Sequence, residues 1–331
     1  MRRFFLGILV ILLLGAAVAG FVLWEPVGPS TETFFEVLPG MSSARIAAEL
    51  EKQHLIRTRY AFDLLRVVEG GTLKAGEYRF DHPARPREVY DRLRRGDVYT
   101  RSVTIPEGSN LFDVAAKLEA AQLGAKEAFL AAARANAKLV SDLDPEATSL
   151  EGYLFPDTYQ FERRVTPLQI QTAMVKRFRV EAAVLGITKD SHRVVTMASL
   201  VEKETPLAEE RPVVASVFEN RMAAGMPLST DPSVIYAALL EGRYRGTIYQ
   251  SDLAAGSPYN TYKHTGLPPG PICSPGAAAL KAAMAPAKTD YLYFVAASAD
   301  PSGHSRFART LEEHEQNVQS YRRAVKAGPG R

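Results

Sequence analysis

The segment SHRVVTMASLVEKET, residues 191–205, is small or apolar at helical spacing until it closes on two carboxylates, Glu202 and Glu204. Pro206 follows. The residue before a proline is pushed out of the α region and the ring blocks continuation, so the spacing predicts a helix from Ser191 that stops at about Thr205. Glu202 then falls in the last turn. A helix C-terminus carries a partial negative charge of about half an elementary unit, which disfavours an ionised carboxylate there. Ser199, Ala198 and Val195 lie one and two turns back on the same face, and burial against them adds a desolvation penalty of the same sign. A carboxyl held protonated near neutral pH is what a general acid requires. Glu204 is a rival, but about 200° of helical rotation separates the two and keeps both from facing one cleft. On this stretch alone, a solvated glutamate in a final turn explains Glu202 at least as well.

The loop SPYNTYKHTGLPPGPICSPG, residues 257–276, is too irregular for a regular element and too aromatic for a plain linker. Long loops inside compact domains tend to be functional. Tyr259 and Tyr262 are suited to stacking on sugar faces, and Asn260 and Thr261 to bonding hydroxyl or acetamido groups. A well-packed loop without a ligand is the alternative. His304 and His314 lack metal-ligand spacing, since no histidine stands four residues after His314, and the single Cys273 excludes an intrachain disulfide or a multi-cysteine site. Neither a metal nor another cofactor is expected. No GxSxG, P-loop or GxGxxG is present, so nucleophilic hydrolases and nucleotide enzymes lose ground.

These groups must be held by a chain of 331 residues, enough for about two domains. Lys and Arg number 40 against 37 Asp and Glu, and a net charge of +3 gives no electrostatic case for nucleic acid as a partner. Residues 4–24 are uncharged, close to the ~20 apolar residues that cross a bilayer as a helix. With Arg2 and Arg3 ahead of that run, the expectation is a single-pass anchor over residues 1–24 in the inner (cytoplasmic) membrane, N-terminus cytoplasmic and the remainder outside. Ala17-Val18-Ala19 also fits a signal-peptide cleavage site, but the apolar run continues to Trp24, which favours a retained anchor. Residues 25–33 read as a spacer.

An internal repeat follows. Val37-Leu38-Pro39-Gly40 and Thr104-Ile105-Pro106-Glu107-Gly108 each precede a helix start, at Ser42 and Ser109, and a similar apolar pattern. A second short helix follows each, and residues 75–80 are echoed by 151–155. The βααβ pattern over 34–102 is that of small carbohydrate-binding modules of the LysM type, partly repeated over 103–160; a duplicated packing unit with no ligand reads the same way. Residues 85–101 carry six arginines among acidic residues and read as a solvated helix. Helices are expected to open at Pro167, Ser191, Arg211, Asp231 as N-cap, Ser274 and Thr310, with strands at 291–297 and 305–308. The fold class is α+β: the N-terminal transmembrane helix, the LysM-like domain, and a mainly helical catalytic domain over 103–331 with short strands.

Several motifs are specific when taken together. EGYLFPDTY (151–159), ASLVEKET (198–205), TDPSVIY (230–236), YNTY (259–262), GLPPG (266–270), SPG (274–276) and YLYFV (291–295) resemble the YceG-like endolytic murein transglycosylases over nearly the whole chain. The resemblance implies cleavage of the MurNAc-GlcNAc β-1,4 bond within peptidoglycan strands, leaving 1,6-anhydro-MurNAc ends and terminating nascent strands. It makes Glu202 the catalytic residue, and carries Glu151, Tyr153 and Asp231 with Tyr259, Asn260, Thr261 and Tyr262 into the substrate site. Peptidoglycan synthases and division proteins are the protein partners it implies. Lys263-His264 and Pro271-Ile272-Cys273 depart from the family pattern and bear on subsite preference. Two other readings stay open. A muramidase-type hydrolase needs a second carboxylate facing Glu202, for which Asp231 and Glu151 are candidates, and a non-catalytic peptidoglycan-binding scaffold needs none.

Overall fold

The computed structural model describes residues 7–11, 13–15, 20–21, 24–188, 191–298, 300 and 303–327. It divides into two compact units, Met1–Arg101 with Gln160–Arg164, and Ser102–Tyr159 with Val165–Arg331.

In the first unit, strand β1 (Thr33–Val37) leads to helices α1 (Ser43–Lys52) and α2 (Arg59–Glu69), strand β2 (Gly76–Phe80) and helix α3 (Pro86–Arg95). Side-chain caps start α1 and α2: Ser42 accepts from the Arg45 N–H and Thr58 from the Tyr60 N–H. β1 and β2 pair antiparallel, from Thr33 opposite Phe80 to Val37 opposite Gly76. Their inward residues Phe35, Tyr78 and Phe80 close over Ile46, Leu50, Phe62, Tyr90 and Leu93 to form one core. The arginines of α3 are paired rather than free: Arg94 meets Asp91 and Glu69, Arg87 meets Glu69, and Arg95 meets Asp97.

The expected membrane span does not stand. Among the described residues no helix is long and apolar enough to cross a membrane. Arg2, Arg3 and Ala17-Val18-Ala19 lie outside the described residues. The transmembrane part of the fold class, and the single-pass inner-membrane localisation that rested on it, are corrected accordingly. Mixed helix and sheet remains.

Strand β3 (Thr100–Thr104) pairs with β4 (Thr158–Glu162). Between them lie α4 (Leu111–Ala120), α5 (Lys126–Ala135) and a short 3-10 turn. Asn110 rather than Ser109 caps α4, exchanging hydrogen bonds with Asp113. The echo over 151–155 is no strand: residues 151–156 are all buried, so they lack the in-and-out alternation of a two-faced strand, and β4 starts later. Gly152 turns the chain there at φ +85°, where a Cβ would sit 2.6 Å from the Pro271 ring and 2.8 Å from Val195.

The rest of the second unit is helical: α6 (Pro167–Leu185), α7 (His192–Glu204), α8 (Arg211–Ala223), α9 (Asp231–Leu240), α10 (Gln250–Leu253), α11 (Ala277–Met284) and α12 (Leu311–Ala327). A hairpin of β5 (Tyr293–Ala296) and β6 (Ser305–Ala308) precedes α12. Helix α7 is the buried axis. Its Val195, Ala198, Leu200 and Val201 are fully enclosed, and it packs on α8, α9 and α11. Burying one such side chain contributes about 1.5–3 kcal/mol, so the helix that presents Glu202 is fixed by packing rather than by its own propensity.

Candidate active site

Helix α7 stops where the proline places its end. Thr205 is extended at φ −141°, and Glu202 stands in the final turn. The Glu202 side chain is only 5 % exposed, and both its oxygens are engaged. Oε1 accepts from Arg211 Nη2 at 2.7 Å and Oε2 accepts from the Gly276 N–H at 3.0 Å. Arg211 opens α8 and is itself buried, and its Nη1 lies 3.6 Å from Glu107 Oε2. Lys203 Nζ donates to the Gly108 carbonyl at 3.3 Å. An open cleft of about 510 Å³ runs over Glu202, bordered by Glu107, Gly108 and Arg211.

Burial is the largest influence on Glu202 and raises its proton affinity above that of an ordinary glutamate, with the Glu107 charge acting in the same direction. The Gly276 N–H and the Arg211 charge oppose it. The carboxyl is therefore poised: its surroundings disfavour charge, yet two donors stand ready for the carboxylate once formed.

Glu204 has different surroundings. It shares a separate cavity of about 340 Å³ with Arg221, Thr230, Asp231, Tyr262 and His314, and also reaches the rim of the Glu202 cleft. Burial pushes it up to about 7, Asp231 adding to the rise. Asp231 is not the cap expected of it, because Thr230 holds the N-cap position and Asp231 instead accepts from the Tyr262 hydroxyl at 2.6 Å.

Of the remaining residues expected at the substrate site, Glu151, Tyr153 and Tyr259 border one small cavity, Asp231 and Tyr262 border that of Glu204, and none borders the Glu202 cleft. Glu151 is 3 % exposed, its Oε2 accepts the Leu111 N–H at the start of α4 at 3.0 Å, and burial pushes it up to about 7. Tyr153 is enclosed, donating to Asp144 at 2.6 Å and packing edge-on against Phe178. Tyr259 packs edge-on against Tyr236. Asn260 lies inside the loop, where its Nδ2 donates to the carbonyls of Leu253 at 3.0 Å and Ala255 at 2.7 Å while its Oδ1 accepts the Tyr262 N–H. Thr261 is likewise internal, tied to Thr230 N–H and Ser233. Tyr262 alone of that quartet is exposed.

Asn260→Ala is therefore expected to cost about 1–3 kcal/mol of stability, since it strands buried carbonyls. Urea unfolding reads this directly. Unchanged stability with lost glycan cleavage would show instead that Asn260 meets substrate.

Arg211, Glu107 and the Gly276 N–H complete the site and were not singled out by the sequence. One local signal existed for Arg211: a cation in the first turn of a helix is unfavourable against the dipole, which points to a carboxylate partner elsewhere. Gly276 has none. Its part is played by a backbone N–H, and only packing brings that group to Glu202 and its Cα against the Glu107 carboxylate. Cys273 is buried beneath the cleft with its Sγ 3.3 Å from the Ser199 carbonyl, and burial pushes its thiol well up, leaving it inert.

Comparison with known proteins gives a consistent result. The YceG-like family matches residues 35–320. The chain is 35% identical over 330 residues to the endolytic murein transglycosylase of Bacillus subtilis (strain 168), covering 93% of this chain and 90% of that relative. It is 30% identical over 315 residues to the endolytic murein transglycosylase of Streptococcus pneumoniae (strain ATCC BAA-255 / R6), covering 84% of this chain and 56% of that longer relative. In structure it is similar to a putative YceG-like protein from Listeria monocytogenes, with a TM-score of 0.56 and 33% identity, over 87% of this chain and 99% of the other.

Proposed function

The chain belongs to the YceG-like family, and we propose that it is an endolytic murein transglycosylase that cuts the MurNAc-GlcNAc β-1,4 bond inside peptidoglycan strands with Glu202 as acid and then base. The observation that carries this reading is the carboxyl of Glu202, enclosed enough to favour its proton, open to a cleft, and faced by Arg211 and the Gly276 N–H.

In the first half, protonated Glu202 gives its proton to the bridging oxygen as the C1–O bond breaks and positive charge develops on the MurNAc ring. The resulting carboxylate is held by Arg211 and the Gly276 N–H, which lowers the cost of the state reached after proton transfer. In the second half, that carboxylate takes the proton of the MurNAc C6 hydroxyl while its oxygen bonds C1. One 1,6-anhydro-MurNAc end and one free GlcNAc 4-hydroxyl result, and Glu202 regains its proton. No water is activated, so the second carboxylate of an ordinary glycosidase has no task. The hydrolase reading needs such a group, and its two earlier candidates are poorly supported: Glu151 is tied to the start of α4 and Asp231 to Tyr262.

Internal cutting would terminate nascent strands, with peptidoglycan synthases and division proteins as neighbours in that task. The endolytic part is tested by sizing the products of long purified strands over time. Intermediate lengths are expected to appear first, whereas steady release of disaccharides from the ends would overturn it.

A further inference from the structure

The cleft contains a carboxylate for which the reaction above has no use. Glu107 stands in the turn between β3 and α4, and that turn is stitched to the aromatic loop by two backbone bonds, Gly108 N–H to the Ser274 carbonyl at 3.0 Å and Ser274 N–H to the Ser109 carbonyl at 2.8 Å. Its side chain is 51 % exposed, yet its carboxylate is packed on Gly276, the residue whose N–H holds Glu202 Oε2. Arg211 lies between the two, 2.7 Å from Glu202 and 3.6 Å from Glu107. Two carboxylates thus share one guanidinium. The Arg211 Nε is buried with no hydrogen-bond partner, so the group is held by its two amino ends alone.

This arrangement answers a difficulty in the chemistry. A guanidinium 2.7 Å from a carboxylate favours the ionised form, which is the wrong state for a group that must begin as an acid. A second carboxylate works against that effect in two ways. Its charge makes ionisation of Glu202 less favourable, and it gives Arg211 another partner whenever Glu202 carries its proton.

We propose that Glu107 is a positioning residue that holds Glu202 in its acid form through the shared Arg211. Arg211 pairs with Glu107 while Glu202 is protonated, and with Glu202 once the proton has gone to the leaving oxygen. The other groups facing Glu202 cannot do this. Lys203, on the same helix, and the Gly276 N–H from the start of α11 both favour the carboxylate; Cys273 from the loop stays neutral; and Glu204 has its own cavity with Asp231 and Arg221.

The inference rests on Glu202 being the acid, and the test separates the two. The pH dependence of kcat/KM on purified glycan strands is measured for the wild type, Glu107→Gln, Glu107→Asp and Glu202→Gln, with a melting temperature for each. An enzyme that needs Glu202 protonated is active below the pKa of that group and loses activity as pH rises through it. Removing a neighbouring negative charge lowers that pKa, so in Glu107→Gln the alkaline limb is expected to move to lower pH by about one unit. Glu107→Asp keeps the charge and is expected to restore most of the limb. If Glu202→Gln is inactive but Glu107→Gln keeps the wild-type limb, or loses the same factor of activity at every pH, the role of Glu107 is overturned and that of Glu202 stands. If Glu202→Gln stays active, both fall.

Discussion

Glu202→Gln is expected to lower strand cleavage by at least about 10²–10⁴-fold, the usual contribution of a positioned general acid, and by more if the base step is lost as well. The amide has the shape of the carboxyl and keeps an oxygen able to accept from Arg211 or the Gly276 N–H. What it lacks is a proton to give at ordinary pH and a charge to receive one. Folding and glycan binding should persist, so the melting temperature should stay close to that of the wild type while turnover disappears. A variant that remains folded and still cuts strands would remove Glu202 from the reaction, whereas a wild type that cuts none would fit the scaffold reading.

Arg211→Ala is expected to be the most destabilising single change in the site, costing about 3–5 kcal/mol at alkaline pH, because it takes from the buried Glu202 carboxyl the cation that lets it ionise. The cost depends on pH, and the sign follows from the chemistry. Burial already places Glu202 above its unfolded pKa, and without Arg211 it rises further. Below the unfolded pKa the group is protonated in both states and the variant loses only packing. As pH climbs above that value the unfolded chain ionises freely while the folded one resists, and stability falls. Urea unfolding of wild type and variant at pH 5 and pH 8 tests this, with the larger gap expected at pH 8. A gap of equal size at both would mean that Arg211 contributes through packing alone.

The parts of this site that were legible in the sequence are the local ones. Pro206 and the small-residue spacing before it define the end of α7 within one residue, and Pro167 marks the start of α6. Helical rotation gives Glu202 and Glu204 different partners, but Glu204 also borders the Glu202 cleft, so the rotation does not keep the two wholly apart. What was illegible depends on distant chain segments meeting. Glu107, Arg211 and Gly276 come from a turn, a helix start and a loop end, and only packing gives them one carboxylate to share.

Asn260 and Thr261 read as sugar ligands in a Tyr-rich loop, and the hydrogen bonds they make run to the loop's own backbone and to α9. Hydropathy read residues 4–24 as one continuous apolar helix, whereas among the described residues no helix is long and apolar enough to cross a membrane. The repeat placed a strand at 151–155 on likeness alone, whereas the chain turns there at Gly152.

The central claim is that Glu202 breaks the glycosidic bond by passing one proton from itself to the leaving oxygen and recovering another from the C6 hydroxyl, with no water consumed. Mass spectrometry of the strand ends made by the wild type and by Glu202→Gln tests this most directly. The wild type is predicted to give MurNAc ends one water lighter than a reducing end, free of oxygen from isotopically labelled solvent, and the variant to give none. Wild-type ends at the full hydrated mass carrying solvent oxygen would contradict it.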